Sequence, residues 1–146
     1  MYSVNLTEEV SSVADDLTPI LEKHSIRFIN RLPDTMIVHS NKNVIYGIFS
    51  NLIKNAAFYS GGTTIVVEII DRKHLSFRDN GKGVAPEYLQ KIFERFYRVD
   101  EGRSRANGGT GLGLSIVRNA VAFHKGNISV KNRPAGGLQF DFTIRI

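Results

Sequence analysis

The 146-residue chain has no cysteine and no tryptophan, and it holds only two methionines and four prolines. Without cysteine it forms no disulfide and no thiolate nucleophile, which suits a reducing compartment. Long apolar runs are missing too: no stretch approaches the roughly 20 residues that a membrane-crossing helix needs. The opening Met1-Tyr2-Ser3-Val4-Asn5-Leu6 does not read as a targeting segment. Internal repeats and low-complexity tracts are also missing. What remains is 42% hydrophobic and 23% charged, the balance of a soluble globular chain the size of one domain.

The net charge of +5 is unevenly spread. Residues 1–40 carry 3 Lys/Arg against 6 Asp/Glu, a net of −3, whereas residues 41–146 carry 16 against 8, a net of +8. A basic portion suits an anionic ligand, either the phosphates of a nucleotide or a nucleic acid.

Periodicity predicts an amphipathic helix from Thr7 to His24, capped by Thr7 and bent or broken at Pro19. Short strands are expected at Ser25–Asn30 and Met36–His39. The strongest helical pattern runs from Asn41 to about Phe58, where Ile45, Ile48, Phe49, Leu52, Ile53 and Ala56 make one apolar stripe. Strands at Thr63–Ile70 and His74–Arg78 turn through Asp71-Arg72-Lys73. A short helix from Pro86 to Phe93 follows, then a mobile loop at Val99–Thr110, a helix at Leu112–Phe123, and strands at Asn127–Lys131 and Leu138–Ile144. Hairpins mixed with long helices predict a sheet covered by helices on one face.

Four segments carry chemistry. Asn51 and Asn55 lie four apart and share one face of the long helix; a carboxamide oxygen is a hard ligand of the kind Mg²⁺ accepts. Asp79-Asn80-Gly81-Lys82-Gly83 follows a strand but leads into Val84-Ala85-Pro86-Glu87, a helix start, which argues against a simple hairpin turn. Its glycines let backbone approach a ligand, and the carboxylate, an acceptor only, could receive the adenine amino group while disfavouring guanine. In Phe93-Glu94-Arg95-Phe96-Tyr97-Arg98 the phenylalanines would pin one end of the mobile loop, and Arg95, Arg98, Arg103 and Arg105 offer forked donors to phosphate. Gly108-Gly109-Thr110-Gly111-Leu112-Gly113-Leu114 opens a helix, where free N–H groups and the helix dipole form a phosphate cradle. It is neither a Walker A loop nor a dinucleotide turn.

In this order the segments resemble the N, G1, F and G2 boxes of sensor histidine kinases. Val4-Asn5-Leu6, Phe123-His124-x-Gly126 and Gly136-Gly137-Leu138-Gln139-Phe140 match the same family, so the resemblance spans essentially the whole chain. It implies an α+β fold, a two-layer α/β sandwich of the Bergerat (GHKL) type. That fold is a mixed sheet of about five or more strands covered on one face by about three helices, with a mobile ATP lid. By the resemblance Asn51, Asn55 and Arg98 would be the catalytic set, with Asn55 the ligand of Mg²⁺. Tyr59 would stack beside adenine, Asp79 would bind its amino group, and Gly81 and Gly83 would be ATP-binding residues of the same box. Tyr97 and Arg98 would reach the phosphates or ribose. Gly109, Thr110, Gly111, Leu112, Gly113 and Leu114 would wrap the triphosphate, and residues 99–110 would be the lid.

Two positions qualify the resemblance. Relatives that hydrolyse ATP carry a water-activating glutamate where Asn51 stands, so kinase is favoured over hydrolase. The family usually has a cation where Phe58 stands, for which Lys54, Arg103 or Arg105 could substitute. The four histidines, His24, His39, His74 and His124, fall at element ends where solvated side chains are expected, and no histidine-bearing H-box run occurs. Residues 1–146 therefore read as a catalytic and ATP-binding domain that lacks the dimerisation hairpin. The implied partners are ATP and ADP, an upstream histidine hairpin and a response regulator, with no nucleic acid. The domain would be monomeric and cytoplasmic, its parent a homodimer anchored in the bacterial inner membrane. Three other readings stand beside this one. A nucleotide-binding module without kinase activity is favoured by Phe58. A serine kinase of the anti-sigma-factor type shares the fold, but the full F box and long basic lid argue against it. A basic nucleic-acid-binding domain is disfavoured because the charges cluster around glycine boxes.

Overall fold

The computed structural model describes residues 2–71, 74–89, 91–94 and 113–144. Helices α1 (Leu6–Asp16) and α2 (Thr18–Lys23) are the two halves of the expected first helix, separated at Leu17 beside Pro19. The expected cap at Thr7 is overturned. Asn5 occupies the N-cap and its side chain accepts from Met36 N (3.3 Å), while Thr7, inside the first turn, donates to Pro33 O (2.7 Å). Tertiary partners on the following loop claim both side chains.

Helix α3 (Lys42–Tyr59) is capped by Asn41, whose Oδ1 accepts from Val44 N at 2.9 Å. It ends at Ser60, followed by Gly61 at φ +68°, a left-handed conformation that suits glycine. All six residues of the expected apolar stripe are buried. Truncating one of them, such as Phe49→Ala, should cost about 3–5 kcal/mol. Helix α4 (Gly113–Phe123) lies against α3. The expected helix from Pro86 to Phe93 is two single 3-10 turns instead, Pro86–Tyr88 and Lys91–Phe93. Eight residues around one proline are too few to propagate an α-helix without packing on a full apolar face.

The strands are β1 (Tyr2–Asn5), β2 (Arg27–Asn30), β3 (Ile37–Ser40), β4 (Thr64–Ile69), β5 (His74–Asp79), β6 (Ile128–Asn132) and β7 (Leu138–Thr143). Strands β1 and β3 make a small antiparallel ribbon that the sequence pattern did not reveal. The other five form one mixed sheet in the order β2-β4-β5-β7-β6, parallel only between β2 and β4. Side chains alternate across it. Ile65, Val67, Leu75, Phe77, Phe140 and Phe142 enter the core shared with α1, α3 and α4. The opposite face is polar, with Arg78 paired to Glu68 and Asp141 receiving Gln139 (2.8 Å) and Lys131 (3.8 Å). The expected sandwich is therefore present, with four helices among the described residues. No described helix is long and apolar enough to cross a membrane.

Candidate functional site

The C-terminal half of α3 is where described parts of the first, second and fourth expected segments meet. Asn51 lies one turn before Asn55, donates from Nδ2 to Gly47 O (2.7 Å), and faces Gly113 at the start of α4. A Cβ on Gly113 would come within 3.1 Å of Asn51 Oδ1, so the described end of the fourth segment lies against this helix. Leu114, next along, is buried in the core and anchors that start. Asn55 and Tyr59 continue the Asn51 face at helical spacing, and both are half-buried. The Asn55 carboxamide makes no hydrogen bond to any described residue, which leaves its oxygen available to a hard cation.

One residue beyond α3, Ser60 locks the second segment in place. Its carbonyl accepts from Lys82 N (2.9 Å), and it lies so close to Gly81 that a Cβ there would overlap it. Asn80 fastens the same loop to β4, accepting from Thr63 N (2.8 Å) and Thr64 N (2.9 Å) and donating to Thr63 Oγ1 (3.0 Å). Gly83 sits at φ +70°, and a Cβ there would overlap Asn132 Oδ1. The glycines at 81 and 83 are thus demanded by protein packed against them, whereas the sequence suggested only room for a ligand.

Asp79 ends β5 and is 4% exposed. Its Oδ1 accepts from Gly81 N (2.8 Å) and Leu138 N (3.3 Å), and Oδ2 accepts from no described residue. Burial pushes the carboxyl above its ordinary value; the two backbone donors and the Arg133 guanidinium oppose that. The result is a fixed acceptor oxygen at the end of a buried strand.

Phe58 stands half-buried in an aromatic cluster, edge-on to His24 (5.5 Å between ring centroids) and to Tyr59 (6.3 Å). His24 Nε2 is buried without a hydrogen-bond partner among the described residues. Phe93 is buried edge-on to Phe140 (6.1 Å), the anchoring expected of it. Tyr97, Arg98, the other arginines expected near phosphate, the 99–110 loop and residues 109–112 lie outside the described residues.

Of the four histidines, His39 and His74 are exposed as expected, but His24 is half-buried and His124 is not solvated at all. His124 is 2% exposed, with Nδ1 donating to Ala120 O (3.1 Å) and Nε2 accepting from Ser40 Oγ (2.6 Å). Burial holds its pKa below the ordinary value. This pair ties the end of α4 to the strand that leads into α3. Residues whose roles were not read from the sequence are Asn80, Asn132, Arg133 and Gly137. The paired glycines before Leu138 were the available signal, since they permit the close approach to Asp79.

A mixed sheet backed by helices on one face, with glycine-bearing loops gathered at the end of α3, is the α/β sandwich of the Bergerat class. The chain belongs to the histidine kinase-, DNA gyrase B- and HSP90-like ATPase family, whose profile matches residues 40–146. Its relatives include the signal transduction histidine-protein kinase BaeS of Escherichia coli, 37% identical over 138 residues that cover 84% of this chain and 30% of that protein. The sensor histidine kinase WalK of Bacillus subtilis is 33% identical over 97% of this chain and 24% of its own length. Among solved structures, the nucleotide-free catalytic domain of histidine kinase ThkA superposes with a TM-score of 0.81 at 28% identity, covering 99% of this chain and 94% of that one. The chain spans less than a third of the length of these curated relatives.

Proposed function

We propose that residues 1–146 form the catalytic, ATP-binding domain of a two-component sensor histidine kinase. It binds Mg–ATP and passes the γ-phosphoryl group to a histidine on a separate dimerisation hairpin, from which a response regulator receives it. The parent is a homodimer anchored in the bacterial inner membrane. The observation that carries this reading is the buried Asp79 carboxylate, with Oδ1 held by two backbone donors and Oδ2 left to accept from an adenine amino group.

Asn55 would hold Mg²⁺ through its free carboxamide oxygen, alongside nucleotide oxygens and water; the bound ion supplies charge neutralisation at the phosphates. Tyr59, next along the same face, lies beside the base, and Gly113 and Leu114 begin the α4 end that receives the phosphates. Tyr97, Arg98 and residues 109–112 complete the triphosphate contacts, with 99–110 as the lid. Transfer needs positioning and charge stabilisation rather than covalent chemistry from the protein. Asn51 cannot deprotonate water, and its amide is already bonded to Gly47 O, so hydrolysis should be slow.

Calorimetric titration tests the reading. ATP should bind with Mg²⁺ and more weakly after chelation, GTP should bind more weakly than ATP, and Asn55→Ala should lose the Mg²⁺ dependence. Labelled γ-phosphate should pass to an added histidine-bearing hairpin. No ATP binding at millimolar nucleotide with Mg²⁺, or rapid hydrolysis by the chain alone, overturns it.

A further inference from the structure

The loop that carries Asp79 is braced from a distant part of the chain. The turn between β6 and β7 reaches it at several points. Asn132 clamps Val84, accepting from its N–H (3.0 Å) and donating to its carbonyl (2.6 Å). Gly137, at φ +97°, packs so closely on the Asp79 carbonyl that any Cβ would overlap it. Leu138 N donates to Asp79 Oδ1 at 3.3 Å. Between them Arg133 points back from the turn: its Nη1 donates to Asp79 O (3.2 Å) and to Gly136 O (3.5 Å).

Arg133 is half-buried, and among the described residues it is the charge that bears on Asp79. The cationic neighbours in sequence act elsewhere, Arg78 on Glu68 and Lys82 in solvent. From β4 the residue opposite Asp79 is Ile65, and from the β7 side it is Gly137 and Leu138; none of the three titrates. A carboxylate buried among apolar and backbone groups tends to take up a proton. A protonated Asp79 would present a hydroxyl where an acceptor is required.

We propose that Arg133 is a positioning residue for adenine recognition: it fixes the Asp79 end of β5 and sets a permanent positive charge beside a carboxylate that must remain an acceptor. This rests on the reading of Asp79 as the acceptor for the adenine amine. The guanidinium suits both tasks, because it is a cation by its chemistry and its Nη1 carries two hydrogens, one for each carbonyl.

The test compares the full chain with Arg133→Met, which keeps length and removes charge, and with Arg133→Lys, which keeps charge. The first readout is the titration of the Asp79 side-chain carboxyl, followed by carbon-13 NMR without nucleotide. Its midpoint should move to higher pH in Arg133→Met and stay at the unsubstituted position in Arg133→Lys. The second is ATP affinity against pH. Between about pH 7 and pH 5 the Met variant should lose more affinity than the unsubstituted protein, because a midpoint at higher pH leaves a smaller ionised fraction at the acid end of that window. A merely structural role for Arg133 would weaken binding equally at all pH values. An unmoved Asp79 midpoint in a folded Arg133→Met overturns the proposal. If that variant does not fold, Arg133→Lys decides: an Asp79 midpoint at the unsubstituted position supports the role of charge, and one displaced upward overturns it. The nucleotide-free titration stands apart from the reading of function. A shifted midpoint in a protein that never binds ATP would refute the nucleotide assignment and leave the action of Arg133 on Asp79 in place.

Discussion

Replacing Asp79 by Asn separates what this residue does for binding from what it does for folding. Oδ1 is held by the N–H groups of Gly81 and Leu138, so the amide oxygen of Asn takes that place and the NH₂ group falls at the Oδ2 position. There it presents donors to the adenine amino group, which is itself a donor. Flipping the amide would set NH₂ against two backbone N–H groups, so rotation gives no escape. Losing one hydrogen bond to a charged acceptor removes about 1.5–3 kcal/mol. ATP affinity should therefore fall roughly 10- to 150-fold, with GTP affected less. Stability should behave differently. A native carboxyl that holds its proton more tightly than the unfolded one contributes stability below the unfolded value near 3.9. That contribution is lost as pH rises through the native value. At neutral pH the buried charge is thus a burden that the Asp79→Asn variant would not carry, although its two backbone bonds are weaker. The variant should lie within about 1 kcal/mol of the unsubstituted protein or above it, and should lose ground relative to it on acidification. Thermal unfolding without nucleotide across pH, beside calorimetric titration with ATP and GTP, gives both quantities. An Asp79→Asn protein that binds ATP undiminished would refute the recognition argument. One that loses several kcal/mol of stability at neutral pH would make Asp79 a structural residue first.

Gly137→Ala should cost about 3 kcal/mol or more, because a left-handed strain of about 1–2 kcal/mol adds to the overlap with Asp79 O. Gly61→Ala, also left-handed but with open space around it, should cost only the strain; chemical denaturation of the two compares them directly. Ser40→Ala removes the donor to His124 Nε2 and should cost about 1–3 kcal/mol, measured the same way. Because burial depresses His124, the unfolded chain takes up a proton near pH 6.5 that the native protein refuses. Its contribution is present above that pH and lost as pH falls towards the lower native value. The matching slope in melting temperature should disappear in His124→Gln, and a slope that persists unchanged assigns it to another group.

Much of the fold could be read from local pattern. The α3 stripe, the break at Pro19 and the five strands of the sheet each declare themselves within a dozen residues. The misreadings share a non-local cause. Thr7 looked like a cap until Pro33 claimed its hydroxyl, and His124 looked solvated because its partner, Ser40, lies 84 residues away. Strand β1 is four residues long and identifiable only by its pairing with β3. At the site, spacing was enough to nominate Asp79, Asn55 and the glycines. It did not reveal that Gly81 answers to Ser60 or Gly83 to Asn132, since those contacts exist only once the sheet has formed.

The brace on the Asp79 loop also has a consequence for biosynthesis. Asp79 and Val84 receive bonds from residues 48 to 59 positions further along, on a hairpin that leaves the ribosome well after them. Strand β7 fills an interior place in the sheet, between β5 and β6, so β6 joins the sheet only through β7. A nascent chain that already displays Asn55, Asp79 and Gly113 therefore lacks the Asn132, Arg133 and Leu138 contacts that hold the Asp79 loop, and it acquires them only with the β6–β7 hairpin.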